Sequence, residues 1–462
     1  MPSPQVIWNE SLIRRYDLSG PRYTSYPTAV QFDERFGEAD CRQAAEEGRL
    51  SGKPLSLYFH IPFCAHLCYY CACNKIITKR REKAQPYLDR LYRDMQMQVE
   101  MHGNDRQVEQ LHWGGGTPTF ISHDQMRELM AETRRLFRLR DDDRGDYSIE
   151  IDPREASSET LKVLREIGFN RISLGVQDLD PKVQKAVNRI QPLELTQNVL
   201  QAAREEGFRS INLDLIYGLP HQTIESFAAT VEKVLELSPD RLSVFNYAHM
   251  PGRFYPQTRI REEDLPPPEH KLIILQQTID RLLSAGYEYI GMDHFAKPDD
   301  ELAVAQRTGQ LHRNFQGYTT HGNCDLVAMG VSAISQVGRA YYQNHHEMPP
   351  YEEAIDAGRL PIKRGAWLTE EDDIRRAVIM QLICHFQLNF AEWSKRLNID
   401  FQTHFAAELA ALRPMADDGL LTLTNEEIVI LPAGRLLIRA ICKEFDQYLP
   451  KQAPAQGYSR II

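Results

Sequence analysis

Four cysteines fall within ten residues of a 462-residue chain, in His60-Ile61-Pro62-Phe63-Cys64-Ala65-His66-Leu67-Cys68-Tyr69-Tyr70-Cys71-Ala72-Cys73. The first three have a C-x3-C-x2-C spacing, and Cys73 follows after one residue. Three thiolates on one short loop can each hold one iron of a [4Fe–4S] cluster and leave the fourth iron open to an outside ligand. Zinc is the rival chemistry, since four-ligand Cys and Cys/His sites are common and both His66 and Cys73 are near. Structural zinc loops usually take two ligand pairs from separate segments, and this chain has no second pair. The spacing therefore favours iron–sulfur. The other four cysteines, Cys41, Cys324, Cys384 and Cys442, are scattered and read as small buried hydrophobes.

Such a loop needs elements to hold it. An apolar run over 55–59 precedes it directly and reads as a strand. Similar runs recur over 108–113, 147–151, 171–176, 211–217, 242–247 and 287–292. Segments of helical period lie between them, over 87–100, 123–137, 158–167, 193–206, 224–237 and 270–285. Several of these helices stop at a glycine, as at Gly168, Gly207 and Gly286. Persistent strand–helix alternation means parallel strands with helical crossovers, hence an α/β barrel or an open doubly wound sheet. After about residue 300 the alternation fades. Residues 350–462 read as mainly helical, with a short hairpin near 419–430 in a winged-helix-like arrangement.

In a parallel α/β barrel the active site gathers at the C-terminal strand ends. The cysteine loop follows the first strand. Gly114-Gly115-Gly116-Thr117-Pro118 follows the second, and Glu150-Ile151-Asp152 closes the third. Gln177 ends the fourth, with Arg189 in the next segment. Asp214 lies on the fifth, and Asn246-Tyr247-Ala248-His249 ends the sixth. The glycine turn lacks the G-x-G-x-x-G spacing of a dinucleotide fingerprint. It can be a plain tight turn, or a place where a ligand lies against bare backbone. Glu150 and Asp214 can cap or face solvent, or can accept hydrogen bonds from an ammonium or from ribose hydroxyls.

The bulk numbers exclude several classes. A net charge of −10 and a pI near 5.9 argue against a general nucleic-acid binder. No apolar run reaches the ~18–20 residues of a membrane span, and Met1 to Ser11 lacks the pattern of a secretory signal. Sparse, clustered cysteines fit a reducing compartment, so a cytoplasmic location is expected. No heptad or apolar stripe stands out, which points to a monomer.

The cysteine loop and the Gly-Gly-Gly-Thr-Pro turn together resemble the radical S-adenosylmethionine (SAM) superfamily. The strings PRYTSYPTA, HWGGGTPT, IEIDPRE, GVQD, NLDLIYGLP, RLSVFNYAH, GMDHFA, DELAVAQR, LHRNFQGYTT and GVSAIS narrow the resemblance. From about residue 15 to the C-terminus the chain is similar to the oxygen-independent coproporphyrinogen III oxidase family of bacterial haem biosynthesis. The resemblance implies a partial (β/α)6 barrel with an N-terminal arm and a mainly helical C-terminal domain. It suggests an arm over the barrel mouth at 1–48, a core at 49–290, an extension at 291–365 and a C-terminal domain at 366–462. It implies an oxidoreductase that turns two propionates of coproporphyrinogen III into vinyl groups, with an electron donor and an electron acceptor that the sequence leaves unidentified. Carried over by motif, Cys64, Cys68 and Cys71 would hold the cluster, and SAM the fourth iron. Tyr58, Gly115, Glu150 and Ile334 would meet this first SAM. Tyr70, Gly116, Thr117, Gln177, Arg189, Asp214 and Ala248 would meet a second. Cys73, Glu150, Phe315 and Gln316 would serve catalysis, and Arg22 is a candidate for a substrate carboxylate. Tyr70 stands where the family often has Phe, which keeps an aromatic face. Ala72 replaces a common Gly and removes no ligand. Two rivals remain at this point: a related haem-trafficking protein, which lacks the fourth cysteine and the PRYTSYPT arm, and a radical SAM methylase.

Overall fold

The computed structural model describes residues 5–17 and 19–449. The chain divides into two compact units. One comprises Phe32–Thr278 and Asn323–Trp367 and carries the parallel sheet. Its strands are β1 (Leu55–Ile61), β2 (Gln107–Gly115), β3 (Asp146–Ile151), β4 (Arg171–Gln177), β5 (Ser210–Tyr217) and β6 (Arg241–Asn246). They pair in parallel in the order β6-β5-β4-β3-β2-β1. The crossovers are helices α1 (Ala84–His102), α2 (His123–Leu136), α3 (Ser158–Glu166), α4 (Leu193–Glu205) and α5 (Ile224–Leu237). This is the strand–helix alternation read from the sequence, with the six parallel strands that the resemblance implies.

Local signals explain why these elements form. Ser122, Ser157 and Thr223 cap α2, α3 and α5, each accepting a hydrogen bond from the amide three residues on. Leu55, Leu57 and Phe59 on β1 are fully buried, as are Leu111 and Trp113 on β2. Trp113 meets Phe169 edge-on at 4.8 Å. On β4 and β5 the burial alternates, so that Ser173, Gly175 and Gln177, and Asn212, Asp214 and Ile216, are the less covered positions. Those alternate residues carry most of the polar atoms.

The sheet also extends beyond β1 into 325–367, where strand–helix alternation fades as expected but where the sequence showed no strand. Asp325–Met329 pairs in parallel with β1, with Leu55 opposite Asp325 and Phe59 opposite Met329. Ile334–Val337, Ala340–Asn344 and Ile362–Trp367 follow as antiparallel neighbours. These strands are short, and a polar, glycine-rich sequence surrounds them. A buried ion pair fixes the first: Arg106 Nη1 lies 2.6 Å from Asp325 Oδ2.

The other unit comprises the described residues of 1–31, Ile279–Gly322 and the described residues from 368 on. Helices Glu370–His385, Phe390–Leu397 and Ala406–Asp417 surround a three-stranded sheet of Gln387–Asn389, Glu427–Ile430 and Leu421–Leu423. Leu421–Leu423 and Glu427–Ile430 form the hairpin expected near 419–430. The N-terminal segment is tied down within this unit. Arg439 donates to the Gly20 and Pro21 carbonyls, and the Tyr23 hydroxyl donates to Asp446 at 3.1 Å. The strand read over 287–292 is Glu288–Gly291, paired antiparallel with His294–Ala296. Among the described residues, no helix is long and apolar enough to cross a membrane.

Candidate active site

The cysteine loop is held at both ends by backbone bonds. Phe63–Cys64 pairs in parallel with Ile76–Ile77, and the Ile76 amide donates to Pro62 O at 2.7 Å. The Tyr69 amide donates to Val187 O at 3.0 Å, and Asn188 Nδ2 donates to Leu67 O at 2.8 Å. Lys75 Nζ donates to the carbonyls of Cys71 and Cys73.

The glycine turn lies directly against this loop. The Gly116 amide donates to Ile61 O at 2.9 Å and the Thr117 amide to Phe63 O at 2.8 Å. A Cβ on Gly116 would lie 2.6 Å from Pro62 O, so only glycine fits. Gly115 has φ +116, and a Cβ there would also strike the His60 ring. The turn is therefore needed for close packing of two loops, a reason the sequence alone left open. Thr117 Oγ1 lies 3.4 Å from Cys64 Sγ.

Each cysteine has a distinct setting. Burial pushes the Cys64 thiol up to about 12. The Cys71 thiol is drawn below its ordinary value, first by its hydrogen bond with Cys73 and then, against burial, by the Lys75 charge. Cys68 Sγ lies 3.3 Å from Arg154 Nη2 and 3.6 Å from Arg189 Nη1. Arg189 also donates to Gly175 O at 2.6 Å and to Asp152 Oδ2 at 3.1 Å. Burial works to raise Asp152, but Arg189 and Arg154 overcome it and hold the carboxyl at about 2. Above Gly175 the ends of Arg189 and Gln177 converge, each 2.9 Å from where a Cβ would stand. Gln177 itself has φ +70, at a register shift in β4.

A polar ladder crosses the sheet beside the loop. His112 Nδ1 and Ser148 Oγ are 2.7 Å apart, and His112 Nε2 and Glu150 Oε1 are 3.5 Å apart. Glu150 Oε2 accepts the Gly115 amide at 3.2 Å. Desolvation works to raise the Glu150 carboxyl, and the His112 hydrogen bond and charge with the Gly115 amide hold it below its ordinary value. Its side chain is nevertheless half exposed, open to a ligand. Ser173 and Asn212 donate to Asp214 at 2.9 and 2.8 Å. Burial pushes Asp214 up to about 6 despite these bonds. Tyr58 stacks on His112 with centroids 5.8 Å apart, and its hydroxyl and His60 Nδ1 are 3.1 Å apart. Tyr70 packs against Val183, Val187, Leu219, Tyr247 and Ile260. Ala248 follows β6 and Ile334 opens its strand, both half-buried.

Thus Tyr58, Tyr70, Gly115, Gly116, Thr117, Glu150, Gln177, Arg189, Asp214, Ala248, Ile334 and the four cysteines all belong to the sheet-bearing unit. Arg22, Phe315 and Gln316 belong to the other. There Arg22 is ion-paired with Asp293. Phe315 and Gln316 form the tip between strands His312–Asn314 and Gly317–Thr319. Sequence reasoning missed His112, Ser148, Ser173, Asn212 and Arg154. A signal existed for the strand residues: polar side chains at every second position of otherwise apolar strands.

The donor set fits the implied cofactors. Cys64, Cys68 and Cys71 lie on one short loop, and a cluster gives each thiolate its own iron. Gln177 Oε1 and Arg189 Nε are buried without a hydrogen-bond partner. A ligand bearing hydroxyls, an ammonium and a carboxylate supplies the groups that such atoms need.

Comparison with known proteins agrees. Residues 58–234 match the radical SAM superfamily model, and residues 368–437 match the HemN C-terminal domain model. The oxygen-independent coproporphyrinogen III oxidase of Pseudomonas aeruginosa is 58% identical over 99% of both chains. The chain belongs to the oxygen-independent coproporphyrinogen III oxidase family. The Escherichia coli member is 52% identical over the full length of both chains. A solved structure described as coproporphyrinogen III oxidase (HemN) from Escherichia coli, a radical SAM enzyme, superposes with a TM-score of 0.91, at 50% identity over 96% of this chain and 100% of that one. As in the family, the core is the radical SAM α/β fold, followed by a mostly helical C-terminal region. A [4Fe–4S] cluster and SAM are the family's cofactors.

Proposed function

We propose that this protein carries out the anaerobic oxidative decarboxylation of coproporphyrinogen III to protoporphyrinogen IX. Each of two propionates loses a β-hydrogen atom, one electron and CO2 and becomes a vinyl group. The observation that supports this most directly is the cysteine loop itself. Three cysteines at the end of β1 lie against a glycine turn, with Glu150 and Arg189 alongside, in a chain that follows the family from end to end.

Cluster and SAM would together supply a radical able to take hydrogen from an unactivated carbon, which no side chain can do. The chain's own residues bind and orient. Cys64, Cys68 and Cys71 would hold three irons, and Cys73 stands aside as a non-ligand that acts in turnover. The first SAM would lie along Tyr58, Gly115, Glu150 and Ile334, where ionised Glu150 accepts an N–H or O–H. A second would lie along Tyr70, Gly116, Thr117, Gln177, Arg189, Asp214 and Ala248, giving Gln177 Oε1 and Arg189 Nε their partners. Phe315 and Gln316 would act beside the reacting side chain. Arg22 would meet a substrate carboxylate by sharing or releasing Asp293. An electron donor and an acceptor complete the reaction. The acidic net charge speaks against a nucleic-acid partner, the sparse, clustered cysteines fit a cytoplasmic enzyme, and the protein is read as a monomer that works without a membrane.

Isotope-labelled SAM tests the reading. The expected products are methionine, 5′-deoxyadenosine and CO2. Transfer of the labelled methyl group to any product would overturn it.

A further inference from the structure

Arg154 is buried beside the cysteine loop, and nothing in the scheme above employs it. Its Nη2 lies 3.3 Å from Cys68 Sγ and 2.7 Å from Asp152 Oδ2, while its Nε reaches Asp152 Oδ1 at 3.0 Å. One carboxylate therefore fixes the guanidinium fork and leaves an N–H for sulfur. Arg189 shares the same carboxylate and approaches the same sulfur. The side chains of Arg154 and Arg189 are only 10% and 7% exposed.

The other two cysteines are treated differently. Cys64 Sγ receives a hydroxyl from Thr117, and Cys71 is met by the Cys73 thiol and the charge of Lys75. Two guanidiniums against the single Asp152 carboxylate leave one net positive charge next to Cys68. Reduction of a cluster adds one negative charge, spread over irons and thiolates. N–H donors to sulfur and nearby fixed cations stabilise that charge, and the burial of both guanidiniums limits its screening by solvent.

We infer that Arg154 is a positioning residue that raises the reduction potential of the cluster through its hydrogen bond to Cys68. The inference rests on the cluster assignment made above. It gives the buried Asp152–Arg154 pair a purpose that packing alone does not require. Arg154→Gln removes the net charge and one donor geometry. Arg154→Lys keeps a charge but loses the fork that binds carboxylate and sulfur together.

The test is a redox titration of anaerobically reconstituted full-length protein, followed by electron paramagnetic resonance, with neither SAM nor substrate added. Iron and sulfide content are measured in parallel. For Arg154→Gln the expected result is a normal cluster content with the reduced-to-oxidised ratio at fixed potential lowered about tenfold, a shift of ~59 mV to more negative values. Arg154→Lys is expected to shift the same way by less, and it carries the test if the glutamine variant does not fold. Wild-type potential in a variant that holds a full cluster overturns the inference. So does loss of the cluster in both variants, which would make Arg154 a structural support only. Wild-type protein that takes up no cluster would instead overturn the cluster assignment itself.

Discussion

Glu150 Oε2 accepts the Gly115 amide across two strand ends, at 3.2 Å. That bond joins β3 to the glycine turn packed on the cysteine loop, and it leaves the other carboxylate oxygen facing His112. The carboxylate is thus both a brace and an exposed acceptor. Glu150→Gln keeps an oxygen for the Gly115 amide but loses the charge. A charged hydrogen bond is worth about 1.5–3 kcal/mol. SAM binding, measured by titration of the cluster-loaded protein, is expected to weaken by roughly 10–100-fold, with thermal stability nearly unchanged. Unchanged SAM affinity would remove Glu150 from the site.

Cys73 stands next to Cys71 yet is assigned no iron. Cys73→Ala is expected to keep the brown cluster absorbance after anaerobic reconstitution and to lose turnover. Alanine at Cys64, Cys68 or Cys71 is expected to abolish both. A Cys73→Ala protein without a cluster would show that the ligand set is wrong.

Gly116 has no room for a methyl group. Gly116→Ala would force its Cβ against Pro62 O and separate the turn from the cysteine loop. The expected cost is about 1–3 kcal/mol, read as a lower melting temperature and a several-fold fall in iron bound per chain. A variant with normal iron content would mean that the turn does not brace the loop.

Asp214 sets a pH dependence. Burial raises its folded carboxyl to about 6, against an unfolded value near 4. Between those values the folded chain holds the proton that the unfolded chain has lost. This contribution is present in full below about pH 4 and disappears as pH rises through about 6, an upper bound of ~3 kcal/mol. Asp214→Asn is expected to flatten the fall in chemical-denaturation stability across that window in cluster-free protein. An unchanged slope would contradict the burial argument.

The sequence made the core legible because its strands are apolar runs and its helices have clear periods and caps. Leu55, Leu57 and Phe59, or Ser157 ahead of α3, announce themselves. The strand Asp325–Met329 did not, because it is a short run inside a polar, glycine-rich region and draws its stability from pairing with β1. The cysteine loop was legible from spacing alone. Arg154 was not, because its role depends on Asp152 turning it toward Cys68, a contact across 86 positions of sequence. The reason for Gly116 was also hidden, since only the folded chain places Pro62 against it.

The central claim is best tested by one anaerobic assay, with reconstituted protein, SAM, a chemical reductant, an electron acceptor and coproporphyrinogen III, and with the product identified by mass. The account predicts protoporphyrinogen IX, lighter than the substrate by two carbon dioxides and four hydrogens. Unaltered coproporphyrinogen III from a protein that has a full cluster and binds haem tightly would contradict it.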